Sequence, residues 1–167
     1  MSQTIEQRRA DSAWKRVSRA HVEANEKAKT ARKNASDAVA KEIDKALQDL
    51  NAGGEKFRKS YGGLARSLPA LVQTDGLGQA MAFLRAKGKD KQYDPHNCIY
   101  SDISEWVVKQ LGERKIDLQG RNDLLQVICT LDSHIYRMAV VESLAYLRWL
   151  KRFAEAELPE PEGGSES

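Results

Sequence analysis

The chain of 167 residues has little of what marks secreted, disulfide-rich or membrane proteins. It contains only two cysteines, Cys98 and Cys129, which cannot form a disulfide framework. Residues 1–9 show no charged and then apolar leader, and no apolar run approaches the roughly eighteen residues that span a bilayer. We therefore expect a soluble, cytoplasmic protein without membrane contact. Its length suffices for one domain whose core needs no disulfides.

Basic residues outnumber acidic ones outside the C-terminal end of the chain. Residues 156–167 carry four acidic and no basic side chains, which leaves 27 basic against 20 acidic side chains, or about +7, in residues 1–155. Such a surplus favours a polyanionic partner such as nucleic acid, although ordinary solubility would also explain it.

Proline and glycine are absent from Ile5 to Leu50, and no part of the chain shows the alternation of a β-strand. Small and apolar residues fall at helical spacing through this stretch, with a heptad-like alternation of alanines from Ala24 to Ala38. The pattern predicts a long, alanine-rich first helix that ends at Gly53-Gly54 and could partly extend as an arm.

Five further helices are predicted from apolar residues that recur every three or four positions. The second helix is expected to end at Pro69, and the third to run from Thr74 or Asp75 to Gly88. The fourth is expected from Ser101 or Asp102 to Gly112, the fifth from Asp123 to Thr130, and the last from Asp132 or Ser133 to Glu157. We therefore predict an all-α fold, a compact helical bundle of about six helices. Residues 1–54 form the long N-terminal helix, 55–157 the helical core, and 158–167 a disordered acidic tail.

Two glycines, Gly76 and Gly78, precede an apolar run and raise the question of a phosphate-binding loop. A dinucleotide fingerprint would need a third glycine where the chain has Met81, and a P-loop would need a Gly-Lys-Ser/Thr sequence that does not follow. We interpret the pair instead as a turn whose backbone passes close to a neighbour. It leads into a helix whose Met81 and Phe83 pack in the core.

The last predicted helix carries its basic residues on one face. At 100° per residue, one side of the helix collects the apolar residues Ile135, Ala139, Tyr146, Leu150 and Phe153. The opposite side, within about a 100° arc, collects four residues that we call the basic strip, Arg137, Arg148, Lys151 and Arg152. We expect the strip to bind a polyanion. The alternative is a solvated face whose charges pair with Glu142 or Glu155.

Patterns typical of catalysis or metal binding are missing from the sequence. The three histidines, His21, His96 and His134, show no zinc-ligand spacing with each other or with the cysteines. Asp90 and Asp94 lie near His96, but they share that loop with two lysines, and a solvated connection explains them as well. We therefore expect no enzyme activity, no metal site and no cofactor.

Two segments resemble the signatures of a known family. The string VVESLAYLRWLKRFAEAE, Val140 to Glu157, preceded by Asp132 and Tyr136-Arg137, is similar to the closing signature of the small helical subunit of the Cmr complex, the type III-B CRISPR RNA-guided effector. The middle signature of that family has an aromatic-led helix, Leu-Pro, Gly-Leu-Gly-Gln-Ala and an apolar helix ending in lysine. The matching residues are Tyr61, Leu68, Pro69, Gly76, Leu77, Gly78, Gln79, Ala80, Phe83, Leu84 and Lys87. The resemblance covers residues 55–157, whereas Ala20 to Gly54 is longer and richer in alanine than the family's first helix.

The resemblance implies an all-helical, non-catalytic subunit of an antiviral ribonucleoprotein. Copies would stack side by side as an inner filament against the backbone subunit that holds the guide RNA, with the large subunit as a further partner. They would line the path of the target RNA opposite the guide. Because guide pairing reads the sequence, such a subunit should contact phosphates and riboses through lysine and arginine. The RNA-binding residues expected from charge and helix phase are Arg137, Arg148, Lys151, Arg152, Arg85, Lys87, Lys15, Arg16 and Arg19.

Two other functions stay open at this point. A helical adaptor would use the same basic surface for assembly of the complex rather than for RNA contact. A small RNA-processing enzyme would show nuclease activity. The salt dependence of RNA binding separates the adaptor from the RNA-binding subunit, because phosphate contacts release counterions.

Overall fold

The structure, a computed structural model, describes residues 3–32, 37–89, 93–130 and 132–160, with side chains described for residues 3–18 and from residue 53 onward within these ranges. Within them the chain forms six α-helices and no strand, which confirms the all-α prediction. The helices are α1 Ile5–Arg32, α2 Asp37–Asp75, α3 Leu77–Gly88, α4 Pro95–Glu113, α5 Leu124–Thr130 and α6 Ser133–Glu157.

Helix α6 lies at the centre of the bundle, where α1, α2, α4 and α5 pack against it. Its residues Ala139, Tyr146, Leu147 and Leu150 are all 0% exposed. Ala139, Tyr146 and Leu150 belong to the face that the 3.6-residue period predicts, and burial of each large apolar side chain stabilises the fold by about 1.5–3 kcal/mol. Helix α3 packs on α2, α4 and α5.

Helix α2 is one continuous helix of 39 residues, so the helix ends predicted at Gly53-Gly54 and at Pro69 are wrong. Pro69 costs about 3 kcal/mol inside a helix because it lacks an N–H group and crowds the preceding turn. Leu68 and Val72 on either side of it are 1% and 3% exposed, and their burial contributes about 1.5–3 kcal/mol each. Packing against the bundle therefore outweighs the local preference to stop.

The turn between α2 and α3 contains Gly76, as predicted, but the reason for the glycine differs. Thr74 and Asp75 belong to the end of α2 and do not cap α3. Gly76 has a φ of 87°, a conformation that residues with a side chain rarely adopt. A Cβ atom at Gly76 would come no closer than 3.5 Å to a neighbour, so the glycine serves the backbone conformation and not a close approach.

A close approach does occur at Gly88, the last residue of α3. A Cβ atom there would lie 2.1 Å from Asn97 Oδ1 and 2.9 Å from the Asn97 backbone nitrogen. On the same helix Met81 is buried as predicted, whereas Phe83 is 40% exposed. The prediction that Phe83 packs in the core is therefore wrong. Its ring contacts His96 edge to face, with centroids 6.1 Å apart.

Helix α4 begins well before the predicted caps Ser101 and Asp102, and that prediction is wrong. Pro95 is the first helical residue, where its missing N–H group costs nothing, and Asp94 caps the helix. The Asp94 Oδ1 atom accepts from the His96 backbone N–H at 2.9 Å. Asp102 instead lies inside the helix and is buried.

The start and end of α6 agree with the sequence prediction. Asp132 caps the helix, and its Oδ1 atom accepts from the backbone N–H groups of His134 and Ile135 at 2.8 and 3.0 Å. These backbone hydrogen bonds, that of Ile135 first, lower the pKa of Asp132.

The first residue of the predicted tail, Leu158, belongs to the core. Leu158 is 5% exposed, and the Arg66 guanidinium donates to the carbonyl oxygens of Ala154 and Leu158 at 2.7 Å each. Residues 161–167 lie outside the described residues, as do the side chains of the alanine-rich stretch 24–38. The division of the chain into residues 1–54 and 55–157 stays a prediction.

Candidate nucleic-acid interface

The basic strip lies on the solvent-facing side of α6. All four of its residues are exposed, opposite the buried Ala139, Tyr146 and Leu150. At 1.5 Å per residue, Arg148, Lys151 and Arg152 span about 6 Å of the helix axis, and Arg137 lies about 16 Å from Arg148. The strip therefore consists of a group of three cations and one separate cation.

Most charges of the strip form no salt bridge with the described residues. In the described part of the chain, no salt bridge involves Arg137, Arg148 or Arg152. Lys151 alone approaches an acid, with 3.8 Å between its Nζ and Glu155 Oε1. An exposed pair at this distance contributes little to stability, because water screens it.

An apolar residue, Val141, interrupts the strip, and the sequence alone did not indicate this. Val141 is 67% exposed and lies on the same face of α6, between Arg137 and Arg148. Leu144, one helical turn further along, is half-buried. The exposed face of α6 thus combines positive charge with a small apolar surface.

The predicted candidates on α3 lie on a different helix from the strip. Arg85 bridges to Asp123, with 3.3 Å between Nη1 and Oδ1, and its guanidinium lies over the Tyr100 ring at 5.3 Å. The Lys87 ammonium lies 6.0 Å from the centre of the Phe83 ring. Arg85 therefore also ties α3 to α4 and to the residue that precedes α5.

The candidates on α1 differ from each other. Lys15 is exposed and pairs with Asp11 at 2.7 Å. Arg16 points inward, pairing with Asp102 at 2.7 Å and forming a further short ion pair with Glu105. Burial alone would lower the pKa of Arg16, but its acidic partners outweigh burial and raise that pKa. The side chain of Arg19 lies outside the described residues.

Next to the strip, α1 and α6 form an aromatic surface that the sequence analysis did not identify. Trp149 and Phe153, one turn apart on α6, stack with ring centroids 5.6 Å apart. Trp14 on α1 meets Phe153 edge to face at 5.4 Å. A shallow groove beside these rings is lined by Glu6, Ala145, Arg148, Trp149 and Arg152. The spacing of Trp149 and Phe153 was visible in the sequence, but the partner helix was not.

A buried ion pair holds α1 on α6. Arg9 donates from Nε and Nη2 to the two carboxylate oxygens of Glu142, both at 2.8 Å, and Trp106 Nε1 donates to Glu142 Oε1 at 2.8 Å. Glu142 is 3% exposed and pairs with Arg9, so it is not a partner of the strip in the alternative of a solvated face, whereas Glu155 is the acid that approaches Lys151. Burial alone would raise the pKa of Glu142, but the hydrogen bonds from Arg9 and Trp106 lower it overall.

Residues that could bind a metal ion do not form a cluster in the described ranges. No group of three or more histidine, cysteine or carboxylate side chains there could hold a metal ion. Asp94 and His96 contact each other at 2.8 Å as part of the helix cap, and Asp90 lies outside the described residues. No helix among the described residues is long and apolar enough to cross a membrane.

Comparison with known proteins gives consistent matches. Residues 30–157 match the protein-family model described as CRISPR-associated protein (Cas_Cmr5). The CRISPR system Cmr subunit Cmr5 of Thermus thermophilus is 33% identical over 104 residues, which cover 62% of this chain and 79% of that protein. The crystal structure of a CRISPR-associated Cmr5 family protein, also from Thermus thermophilus, aligns with a TM-score of 0.56 and 21% identity, covering 94% of this chain and 100% of that one. This last likeness is one of fold.

Proposed function

Because the chain belongs to the Cmr5 family of CRISPR-associated proteins and is a small subunit of the type III-B Cmr complex, we propose that it binds the backbone of the target RNA through the basic strip of α6. In this function the subunit is non-catalytic and its copies stack as an inner filament. The target RNA runs along the filament opposite the guide RNA. The protein partners are the backbone subunit, the large subunit and neighbouring copies of the chain.

The observation that carries the proposal is the group of three cations at the C-terminal end of the strip. Arg148, Lys151 and Arg152 are exposed within about 6 Å of helix axis. Lysine and arginine contacts to phosphate position a nucleic acid without reading its sequence. Such contacts suit a subunit that must accept any target, because sequence recognition belongs to the guide RNA.

The test is a triple charge reversal, Arg148→Glu, Lys151→Glu and Arg152→Glu, in the reconstituted complex. Binding of a labelled single-stranded target RNA is measured over a series of salt concentrations. We expect weaker binding and a salt slope reduced by about 0.7 units for each lost phosphate contact in each copy. Guide retention should hardly change, because other subunits hold the guide.

A matched control reverses three exposed lysines outside the strip, Lys56→Glu, Lys109→Glu and Lys115→Glu. It changes the net charge by the same amount and should leave the salt slope closer to that of the wild type. Wild-type affinity and slope in a correctly assembled strip variant would contradict the proposal and leave the strip as a solvated face.

The helical adaptor is the second candidate, and Val141 favours it. An apolar side chain that is 67% exposed in the middle of a charged face suits a protein contact better than an RNA contact. If the strip variant keeps its helical content but fails to enter the complex, the strip serves protein assembly.

A further inference from the structure

Trp14, Phe153 and Trp149 form a continuous row of rings between α1 and α6, which we call the aromatic row. Successive ring centroids lie 5.4 and 5.6 Å apart. At one end, the Arg152 guanidinium lies 5.7 Å from the centre of the Trp149 ring. At the other end, Trp14 is 44% exposed. The row therefore joins the basic strip to an open indole surface.

Trp14 differs from the other two tryptophans in its polar contacts. Trp106 Nε1 donates to Glu142 at 2.8 Å, and Trp149 Nε1 donates to Glu6 at 2.9 Å. No hydrogen bond of the Trp14 indole is found among the described residues. Within the described part of the chain the Trp14 N–H group is therefore not engaged, and the residue is 44% exposed to a ligand.

The position of Trp14 is fixed by the residues around it on α1. Ala13 and Val17 are 0% exposed, and Arg9 forms the buried pair with Glu142. The helix therefore cannot turn to bury Trp14 without breaking these contacts. A ligand would meet an indole that is already ordered, which reduces the entropy lost on binding.

The charge around the row indicates what kind of ligand would fit. Arg148 and Arg152 line the groove beside Trp149, and neither forms a salt bridge within the described ranges. Glu6 also lines the groove, but its carboxylate is held by Arg9 and by the Trp149 indole N–H. A single exposed indole is common on protein surfaces and needs no ligand. A row of three rings beside two unpaired guanidinium groups suits a ligand that combines a flat aromatic face with negative charge. Nucleotides of single-stranded RNA have both, and proteins bind them with the same combination of groups.

We propose that an unpaired base of single-stranded RNA stacks on Trp14 while Arg148 and Arg152 hold the adjoining phosphates. This inference rests on the proposed function, because both place RNA along α6. It adds a contact with the base that does not depend on charge. Stacking accepts every base, so the contact adds affinity without sequence preference.

The test uses the purified full-length chain with two probes, a fluorescein-labelled uridine dodecamer and inorganic polyphosphate. The two probes share negative charge, but only the dodecamer has bases. Trp14→Ala should weaken dodecamer binding about 5- to 150-fold, the range for loss of one stacked base. It should leave the salt slope and the polyphosphate affinity unchanged, since no cation is removed.

Two further variants make the result specific. Trp14→Leu keeps an apolar contact with Phe153 and should lose dodecamer affinity to a similar degree, with wild-type helical content by circular dichroism. Tyr93→Ala removes an aromatic residue that is 79% exposed outside the row, and it should bind both probes as the wild type does.

The outcomes separate this inference from the proposed function. Wild-type dodecamer affinity in a folded Trp14→Leu variant overturns the stacking contact. The proposed function still stands in that case if the triple charge reversal of the strip lowers the salt slope. Equal losses for the dodecamer and for polyphosphate also overturn it, because the effect would then come from charge. An unchanged slope in the strip variant overturns the proposed function itself. If Trp14→Leu binds the dodecamer normally but fails to assemble with other subunits, the row is a protein contact.

Discussion

Replacing Glu142 with alanine should lower the free energy of unfolding by about 3–5 kcal/mol, the usual result of removing one partner of a buried ion pair. The Glu142 and Arg9 side chains are 4% and 10% exposed, and two hydrogen bonds of 2.8 Å join them. The substitution would leave the Trp106 indole N–H without this acceptor and the Arg9 guanidinium with only its remaining pair to the more exposed Glu6. For a chain of this length, the loss corresponds to a fall in Tm of roughly 6–20 °C.

Thermal and urea unfolding followed by circular dichroism would measure the effect. Asp11→Ala is the control, because it removes the exposed Lys15–Asp11 pair and should cost no more than about 1 kcal/mol. The double variant Arg9→Met, Glu142→Leu should be more stable than Glu142→Ala alone, since an apolar pair leaves no buried charge. A loss below about 1 kcal/mol for Glu142→Ala would refute the view that this pair fixes α1 on α6.

The same pair predicts a pH dependence. The pKa of Glu142 is lowered in the folded protein, so its contribution to stability is present above its unfolded pKa of about 4.3 and is lost as the pH falls through the folded value. Glu142→Gln should therefore differ most from the wild type near neutral pH, and the difference in free energy of unfolding should shrink below about pH 4. A difference in free energy of unfolding that grows as the pH falls would contradict a lowered pKa of Glu142 in the folded protein.

Two further substitutions test packing at the ends of helices. Gly88→Ala should lower the free energy of unfolding, measured in urea, by about 1–3 kcal/mol, because the new Cβ would lie 2.1 Å from Asn97 Oδ1. The control Gly54→Ala places a Cβ with nothing within 4 Å and should be neutral or stabilising. Arg66→Ala should lower the free energy of unfolding by about 1–3 kcal/mol, because it removes hydrogen bonds to the carbonyl oxygens of Ala154 and Leu158 at the end of α6. The control Lys56→Ala changes an exposed residue of α2, the helix that carries Arg66, and should change the thermal midpoint little. A thermal midpoint for Arg66→Ala equal to that of Lys56→Ala would contradict the role assigned to Arg66.

Much of the helical architecture could be predicted because it depends on neighbouring residues. The period of Ala139, Tyr146 and Leu150 gave the buried face of α6, and the Asp132 cap gave its start. The continuous α2 could not be predicted in this way. Proline and glycine oppose helix locally, and only the burial of residues such as Leu68 shows that packing overrides them.

The candidate interface was predicted only in part. The exposed side of the basic strip follows from helix phase, which local spacing defines. The inward turn of Arg16 depends on Asp102 and Glu105, which lie on another helix. The pairing of Glu142 with Arg9 joins residues 133 positions apart, so no local pattern contains it.

The sequence by itself determined that the chain is helical, which side of α6 is buried, where its cations lie and which family its motifs resemble. These properties depend on the order of residues within one or two helical turns. Only the tertiary structure decided which charges stay unpaired and which helix supplies a third ring to Trp149 and Phe153. Those properties depend on contacts between helices distant in the chain, and the packing of α1 on α6 creates them.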